Sequence, residues 1–266
     1  MNKRYKPNKL IMGLVGIALQ LFPGCDYHPP KHTITSSPYV NPYNNVKISK
    51  IIVEMGEPEF IEEYFEEELE KNLEDLYSEY LKTEGTSLRK VQKTIVIDKS
   101  MRELTVYVGP SGIDSTLEPY GTLLKVYSDI ALGTRPIGDK VREGDRRTPE
   151  GEFYVARKVP KSKYHKALLI SYPNQEDAKR GLKDGLINKI QYEKIIDSIY
   201  KCQTPPQNTK LGSYLEIHGM GKGRDWTWGC VGLDNTEIDE IYQFSNSGCK
   251  KYKGKRIPRT KIIIKP

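Results

Sequence analysis

The stretch from residue 215 to residue 242, LEIHGMGKGRDWTWGCVGLDNTEIDEIY, decides the fold. An apolar run that ends at His218 predicts a strand, and a glycine-rich loop leads from this strand to Cys230. The residues after Asp234 have helical spacing, and Glu237 three positions later favours a capping box at the start of that helix. A loop of this length can fold back, so the stretch predicts that the histidine and the cysteine lie close together.

A cysteine beside a histidine favours nucleophilic catalysis. A thiol attacks carbonyl groups as the thiolate, and its ordinary pKa of about 8.5 leaves only a few per cent ionised at neutral pH. The imidazole of His218 could take the proton of Cys230 and remain beside the sulfur as a cation. The structural alternatives are a cysteine that is buried or disulfide-bonded and a histidine that is only hydrogen-bonded in place.

Glycines flank both residues, as Gly219 after the histidine and Gly229 before the cysteine. Glycine adopts backbone conformations that other residues resist, and it lets a substrate carbonyl approach the main chain closely. We expect backbone N–H groups around Gly229, Trp228 and Gly219 to stabilise an oxyanion, a role in which each donor contributes about 3 kcal/mol.

The rest of the chain from residue 92 combines strand and helix patterns. Two apolar runs that flank Lys99 and Ser100 predict a β-hairpin, and helical spacing broken near Gly185 predicts an inserted helical pair at about 174–201. Further strands are predicted at 123–133, at the end of the turn-rich segment 144–155, and at 167–173, 214–219 and the C-terminal TKIIIKP. The fold class is therefore α+β, with a β-rich domain over residues 92–266.

The N-terminal part predicts export. Residues 1–25 have a basic start and then an apolar run that is too short to span a bilayer comfortably. Cys25, after a small residue just past that run, is typical of a bacterial lipoprotein cleavage site, so we expect an acylated, membrane-anchored periplasmic protein. An uncleaved anchor and ordinary signal cleavage are the alternatives. Residues 26–56 predict a tether, and residues 57–91 predict an acidic amphipathic helix region that packs on the main domain, or else binds a partner that the sequence does not name.

Composition excludes several function classes. The net charge is +7, but Lys3, Arg4, Lys6 and Lys9 of the export segment contribute four of these charges, so no nucleic-acid footprint is indicated. Phosphate-cradling loops and paired-cysteine zinc spacings do not occur in the sequence, and we expect no metal and no cofactor. In an oxidising compartment Cys202 and Cys249 could form a disulfide and leave Cys230 free, although spacing alone does not fix the pairing.

The motifs IHG at 217–219 and GCVGL at 229–233 resemble the catalytic signature of the YkuD-type L,D-transpeptidases, which act on bacterial peptidoglycan. The segments IALGTRPIGDKVREGDRRTPEGEFYV (130–155) and TPPQNTKLGSYLEIHG (204–219) extend the resemblance, and DWTWGC resembles a subgroup with the motif Asp-Trp-Thr-x-Gly-Cys. The resemblance covers about residues 92–266 and implies the family's β-rich catalytic fold, a mixed β-sandwich.

The resemblance also implies a reaction. Cys230 would attack the carbonyl that joins the L-centre of a diaminopimelate to a terminal D-alanine of a peptidoglycan stem peptide, with His218 as the base. D-Alanine would leave, and an amine of a second stem peptide would resolve the thioester. Water would resolve it in an L,D-carboxypeptidase, and attachment to another protein is a third outcome. Trp228 stands where many members have a histidine, which leaves a degenerate cell-wall-binding or adaptor module as an alternative.

Four further residues are candidates for substrate binding: Trp226, His165, Arg224 and Asp225. Trp226, like Trp228, could form an apolar wall for the stem peptide or its sugar, or could pack the loop against the sheet. His165 could bind a stem carboxylate or lie on the surface. Asp225 could orient His218, but we favour a role in holding the loop.

Overall fold

The computed structural model describes residues 71–84, 91–110, 120–248, 251–252, 255–256 and 258–266. The predicted export segment with Cys25, the predicted tether, and Cys249 lie outside these ranges. Within them, no helix combines the length and the apolar character that crossing a membrane requires.

The described ranges contain four helices and ten strands. In chain order they are α1 (Leu73–Glu84), β1 (Val91–Asp98), β2 (Glu103–Pro110), β3 (Thr122–Tyr127), β4 (Gly151–Ser162), β5 (His165–Ile170), α2 (Gln175–Lys183), α3 (Lys189–Tyr200), β6 (Glu216–His218), β7 (Val231–Gly232), α4 (Asn235–Phe244), β8 (Lys251–Tyr252), β9 (Lys255–Arg256) and β10 (Lys261–Lys265).

Eight of the strands form one mixed sheet in the order β3-β2-β1-β10-β4-β5-β6-β7. The pairs β1–β10 and β6–β7 are parallel, and the other neighbours are antiparallel. The C-terminal strand β10 therefore lies between β1 and β4, which ties the two ends of the domain together in the middle of the sheet. This mixed sheet with its helices confirms the predicted α+β class.

The predicted hairpin is β1 and β2, paired from Val91 opposite Pro110 to Asp98 opposite Glu103. Its turn is set by Asp98, whose carboxylate accepts hydrogen bonds from the backbone N–H of Met101 at 2.9 Å and from the hydroxyl of Ser100 at 2.7 Å. A short polar side chain that satisfies nearby backbone donors in this way is a common cause of a tight turn.

Helix α1 packs on the rest of the domain through a buried face. The ring of Tyr77 lies edge-on to that of Phe244, with 5.4 Å between centroids, and the Lys93 ammonium lies 4.1 Å from the Tyr77 centroid. The carboxylate of Glu240 accepts from the backbone N–H of Leu73 at 3.2 Å and pairs with Lys125 at 2.9 Å. The described part of the acidic helix is thus a packing helix, and its upstream part lies outside the described residues.

The helical pair predicted at about 174–201 is α2 and α3, and each begins with a reciprocal capping box, around Asn174 and Asn188 respectively. Helix α2 fixes the segment that follows β3, because Arg180 pairs with Asp139 at 2.6 Å and donates to the carbonyl of Lys140 at 2.6 Å. This segment leads into the turn that supports the site described next.

Candidate active site

The parallel pairing of β6 with β7 brings the predicted base and nucleophile together. Ile217 lies opposite Val231 and His218 lies opposite Gly232, so Cys230, which immediately precedes β7, reaches the level of Glu216. Side chains alternate along a strand, and Ile217 points into the core. Glu216 and His218 therefore share the face that is turned away from the Ile217 side chain.

The loop from 219 to 230 packs against the turn formed by residues 144–151, GDRRTPEG. Gly229 has φ of 125°, and a Cβ atom there would lie 2.6 Å from the carbonyl oxygen of Arg147. The hydroxyl of Thr227 donates to the carbonyl of Cys230 at 2.7 Å and accepts from the N–H of Gly229 at 3.1 Å. A glycine is required at position 229 because the backbone is left-handed there and the turn leaves no room for a side chain.

His218 is 1% exposed, and its orientation fixes its tautomer. Its Nδ1 lies 2.7 Å from the carbonyl oxygen of Gly219. A carbonyl oxygen only accepts, so Nδ1 carries the hydrogen, and in the neutral ring the lone pair is on Nε2. The ring stacks on Tyr164 with 4.4 Å between centroids and meets the edge of Trp226 at 5.5 Å.

The pKa values of His218 and Cys230 are both shifted in the direction that favours the uncharged group. Burial lowers the pKa of His218, and the charge of Lys163 lowers it further, against a hydrogen bond to Gly219 that raises it. Burial raises the pKa of the Cys230 thiol to about 11, although a backbone hydrogen bond with Glu216 acts in the opposite direction. Both shifts oppose the thiolate and imidazolium expected from the sequence, because the desolvation of both groups disfavours charge.

The thiol of Cys230 is half-buried and lies 3.7 Å from the carbonyl oxygen of Tyr214, its hydrogen-bond partner. Within the described part of the chain, no hydrogen bond joins the sulfur to the ring of His218. Tyr214 and Met220, in the loops that flank β6, both have left-handed backbones, with φ of 48° and 74°. Such conformations in non-glycine residues cluster at functional sites.

Two of the predicted oxyanion donors are already engaged. The N–H of Gly219 donates to the carbonyl of Tyr164 at 3.1 Å, and the N–H of Gly229 donates to the Thr227 hydroxyl. Gly219 contributes instead as the acceptor that orients His218. The N–H groups of Trp228 and Cys230 donate to no backbone carbonyl among the described residues, which leaves these two next to the sulfur.

An open groove of about 420 Å³ adjoins His218 on the side of its aromatic neighbours. It is lined by Tyr164, Met220, Gly221, Lys222, Arg224 and Trp226. Trp226 forms part of its wall, and its indole N–H donates to the carbonyl of Gly221 in the same loop at 3.2 Å; contact with a stem peptide stays a prediction. Arg224 is exposed at the groove, and its side chain forms no ion pair with any described residue.

Three other candidates, Asp225, His165 and Trp228, contact other side chains of the protein. Asp225 accepts from the N–H of Leu132 at 2.9 Å and pairs with Arg102 at 2.8 Å, as expected of a residue that holds the loop. His165 pairs with Asp239 at 2.8 Å. Trp228 is 68% exposed, and the guanidinium of Arg146 lies 5.1 Å from its ring centroid.

The two cysteines among the described residues are in different states. Cys230 is free and Cys202 is disulfide-bonded. Pairing of Cys202 with Cys249 remains a prediction, because Cys249 lies outside the described residues. In the described part of the chain, His, Cys, Asp and Glu side chains form no group of three that could hold a metal ion.

Sequence reasoning missed three residues of the site. Tyr164 stacks on His218 from a distant part of the chain, and no local pattern indicated this contact. Thr227 was visible in the DWT motif, but its two hydrogen bonds were not. Glu216 could have been found by strand alternation, since it lies two residues before His218 on the same face.

The chain matches the model of the L,D-transpeptidase catalytic domain, YkuD, over residues 92–264, and it belongs to this family. It is 34% identical over 152 residues to the protein named "Putative L,D-transpeptidase YafK" of Escherichia coli (strain K12); the alignment covers 56% of this chain and 46% of that protein. The chain therefore spans less than half of this relative's length.

Solved structures with a similar backbone include the helical cell shape determining protein Pgp2 from Campylobacter jejuni, with 20% identity and a TM-score of 0.43, covering 66% of this chain and 48% of that one. An L,D-transpeptidase from Mycobacterium smegmatis has 12% identity and a TM-score of 0.35, covering 66% and 59% of the two chains.

Proposed function

We propose that this chain is an exported cysteine L,D-transpeptidase that forms a thioester at the diaminopimelate of a peptidoglycan stem peptide and releases D-alanine. The observation that carries the proposal is the orientation of His218. Its Nδ1–H is held by the Gly219 carbonyl, which leaves Nε2 as a base on the strand that adjoins the free thiol.

In the first half-reaction, the sulfur of Cys230 attacks the carbonyl as its proton passes to Nε2 of His218. The thiol is uncharged at rest, so proton transfer accompanies attack and does not precede it. The N–H groups of Trp228 and Cys230 are the donors proposed for the negative oxygen that develops. Collapse of the intermediate breaks the carbon–nitrogen bond, and the imidazolium returns the proton to the amine of the departing D-alanine.

In the second half-reaction, an amine of another stem peptide attacks the thioester, and the sulfur leaves as the thiol. The same two residues would serve an L,D-carboxypeptidase, in which water replaces the amine. A degenerate adaptor module would not need a buried histidine with one tautomer fixed beside a free thiol, so we place this alternative last. Neither half-reaction requires a cofactor.

The deciding experiment follows a purified tetrapeptide muropeptide by mass spectrometry after incubation with the full chain in detergent. A crosslinked dimer together with released D-alanine supports transpeptidation, and a tripeptide alone supports carboxypeptidation. Cys230→Ala should abolish both products. Products that are equal for the variant and the wild type would rule out both enzymatic proposals.

We also propose that the chain reaches the periplasm as a lipoprotein acylated at Cys25. The support is the basic and apolar N-terminal pattern followed by that cysteine. The mass of the mature N-terminal peptide from cells tests this, because acylation adds the lipid mass to Cys25. A mature N-terminus at any other residue would contradict it, and Cys25→Ser should abolish the lipid-modified form.

A further inference from the structure

A carboxylate that the proposed reaction does not use lies beside the nucleophile. Strand β6 places Glu216 and His218 on one face, and the parallel register with β7 sets Glu216 at the level of Cys230. Neighbouring strands are about 4.8 Å apart. Glu216 therefore lies opposite Cys230 across the two strands, and burial and the Glu216 charge both raise the pKa of the thiol.

Among the described residues, this carboxylate has no partner of opposite charge in contact with it. Among the residues that the structure describes, no basic nitrogen lies within 4.0 Å of it, and its side chain accepts no hydrogen bond. Arg157 and Lys163 act on it only at longer range, and burial raises its pKa. A half-buried carboxylate without a partner is costly, and titratable groups in such environments cluster at functional sites.

The ligand that would complete this site is a cation with hydrogen-bond donors. The proposed substrates carry one, since diaminopimelate has a primary amine at its second centre, which is protonated at neutral pH. An ammonium provides three donors and a full positive charge, and hydrogen bonds between oppositely charged groups are the strong ones. The carboxylates of a stem peptide, in contrast, would be repelled from this position.

We propose that Glu216 is the specificity-determining residue that binds the primary ammonium of diaminopimelate beside Cys230. This inference rests on the proposed function of the site and adds the group that the site recognises. The ammonium belongs either to the acyl donor, whose carbonyl is attacked, or to the acceptor, whose amine resolves the thioester. Both sources have the same chemistry, and the experiment below separates them.

The donor arm measures binding without turnover. Calorimetry with the Cys230→Ala protein compares a tetrapeptide muropeptide that has a free diaminopimelate amine with the same compound acetylated on that amine. We expect the free amine to bind about tenfold more tightly, as a charged hydrogen bond would give. Adding Glu216→Gln, which keeps the shape and removes the charge, should abolish this difference by weakening the free-amine compound alone.

The acceptor arm uses protein that retains Cys230. The donor concentration is kept constant, and the acceptor concentration is varied. If the ammonium belongs to the acceptor, Glu216→Gln should raise the acceptor concentration that gives half-maximal crosslinking by about tenfold and shift products to hydrolysed tripeptide. The matched control is Glu193→Gln, an exposed carboxylate on α3, which should change neither arm. Glu216→Asp should recover part of the effect if charge is what matters.

The proposal is overturned if Glu216→Gln stays within twofold of its parent protein in both arms. The proposed function is contradicted by a different result, in which the protein that retains Cys230 forms neither acyl-enzyme nor product with any donor. In that case the calorimetric comparison still decides whether Glu216 binds the ammonium. Thermal melting of every variant shows whether a loss of binding comes from a loss of folding.

Discussion

At the scale of single residues, the proposed chemistry depends on Cys230 and His218, two groups whose charged forms are disfavoured by burial. Burial raises the pKa of Cys230 and lowers that of His218, so each shift opposes formation of the thiolate–imidazolium pair in the empty site. In the proposed reaction, the oxyanion donors favour negative charge only once the sulfur has attacked a bound substrate.

The raised pKa of Cys230 predicts how its alkylation depends on pH. We expect alkylation of Cys230 by iodoacetamide to keep increasing above pH 9, with a midpoint near 11, because the reactive species is the thiolate. Peptide mapping by mass spectrometry at a series of pH values measures it site by site, which separates Cys230 from the other cysteines. A midpoint below 8 would mean that the ion pair exists at rest.

Protonation of His218 should determine how the rate of acylation declines at low pH. A lowered pKa means that the ring protonates only below its ordinary value of 6.5, so acylation should persist as the pH falls through 6.5 and decline at lower pH. The pH dependence of single-turnover acylation measures this. An acid limb centred above 6.5 would contradict the buried, neutral ring.

Thr227 should be a positioning residue whose hydroxyl matters. Thr227→Val removes the donor to the Cys230 carbonyl and leaves the buried N–H of Gly229 without an acceptor, which costs about 1–3 kcal/mol. We expect lower kcat with little change in KM, together with a lower melting temperature. Thr227→Ser keeps both hydrogen bonds and should remain close to the wild type, whereas equal losses in the two variants would point to the methyl group.

At the scale of elements, the site depends on a loop held from several directions. Asp225 joins this loop to the β1–β2 turn region through Arg102 and to the chain after β3 through Leu132. These contacts hold the peptide between Trp226 and Cys230 in one conformation, which keeps the backbone donors beside the sulfur. The loop therefore acts as a fixed part of the site, supported by residues distant in sequence.

We expect Asp225→Ala to lower the free energy of unfolding by about 1–3 kcal/mol, since Arg102 and the Leu132 N–H both lose their acceptor. Urea unfolding measures the change. Asp197→Ala is the matched control, because its pair with Lys201 is exposed on α3 and exposed pairs contribute little. If the two variants lose the same stability, Asp225 does not brace the loop.

The elements that could be predicted from sequence are those encoded locally. The hairpin, the helical pair and the helix after Asp234 are each indicated by apolar residues that recur every two or every 3.6 positions. A nearby capping or turn residue marks where each of them begins or turns. The stacking of Tyr164 on His218 could not be predicted, because β5 must first pair with β6 before these residues meet. Likewise, the engaged N–H of Gly219 follows from pairing with residues far along the chain, which its glycine neighbourhood does not reveal.

At the scale of the whole molecule, stability comes from a sheet whose centre is formed by the chain's last strand. Ile262, Ile263 and Ile264 of β10 are all buried, as expected for a central strand covered on both faces. Because β10 pairs with β1 and β4, the two halves of the sheet depend on it. The β6–β7 pair, which positions His218 and Cys230, lies at one end of the same sheet, so its position depends on the strands at this centre.

Helix α1 should belong to this cooperative unit, although its sequence lies before the family domain. Leu73 is fully buried, so Leu73→Ala should lower the free energy of unfolding by about 2–4 kcal/mol through lost burial and the cavity left behind. Urea unfolding followed by circular dichroism measures it, and Leu182→Ala, at a side chain that is 37% exposed, is the matched control. A single transition shifted to lower urea would show that α1 unfolds together with the sheet, whereas an unchanged main transition would mean that α1 detaches first and does not stabilise the site.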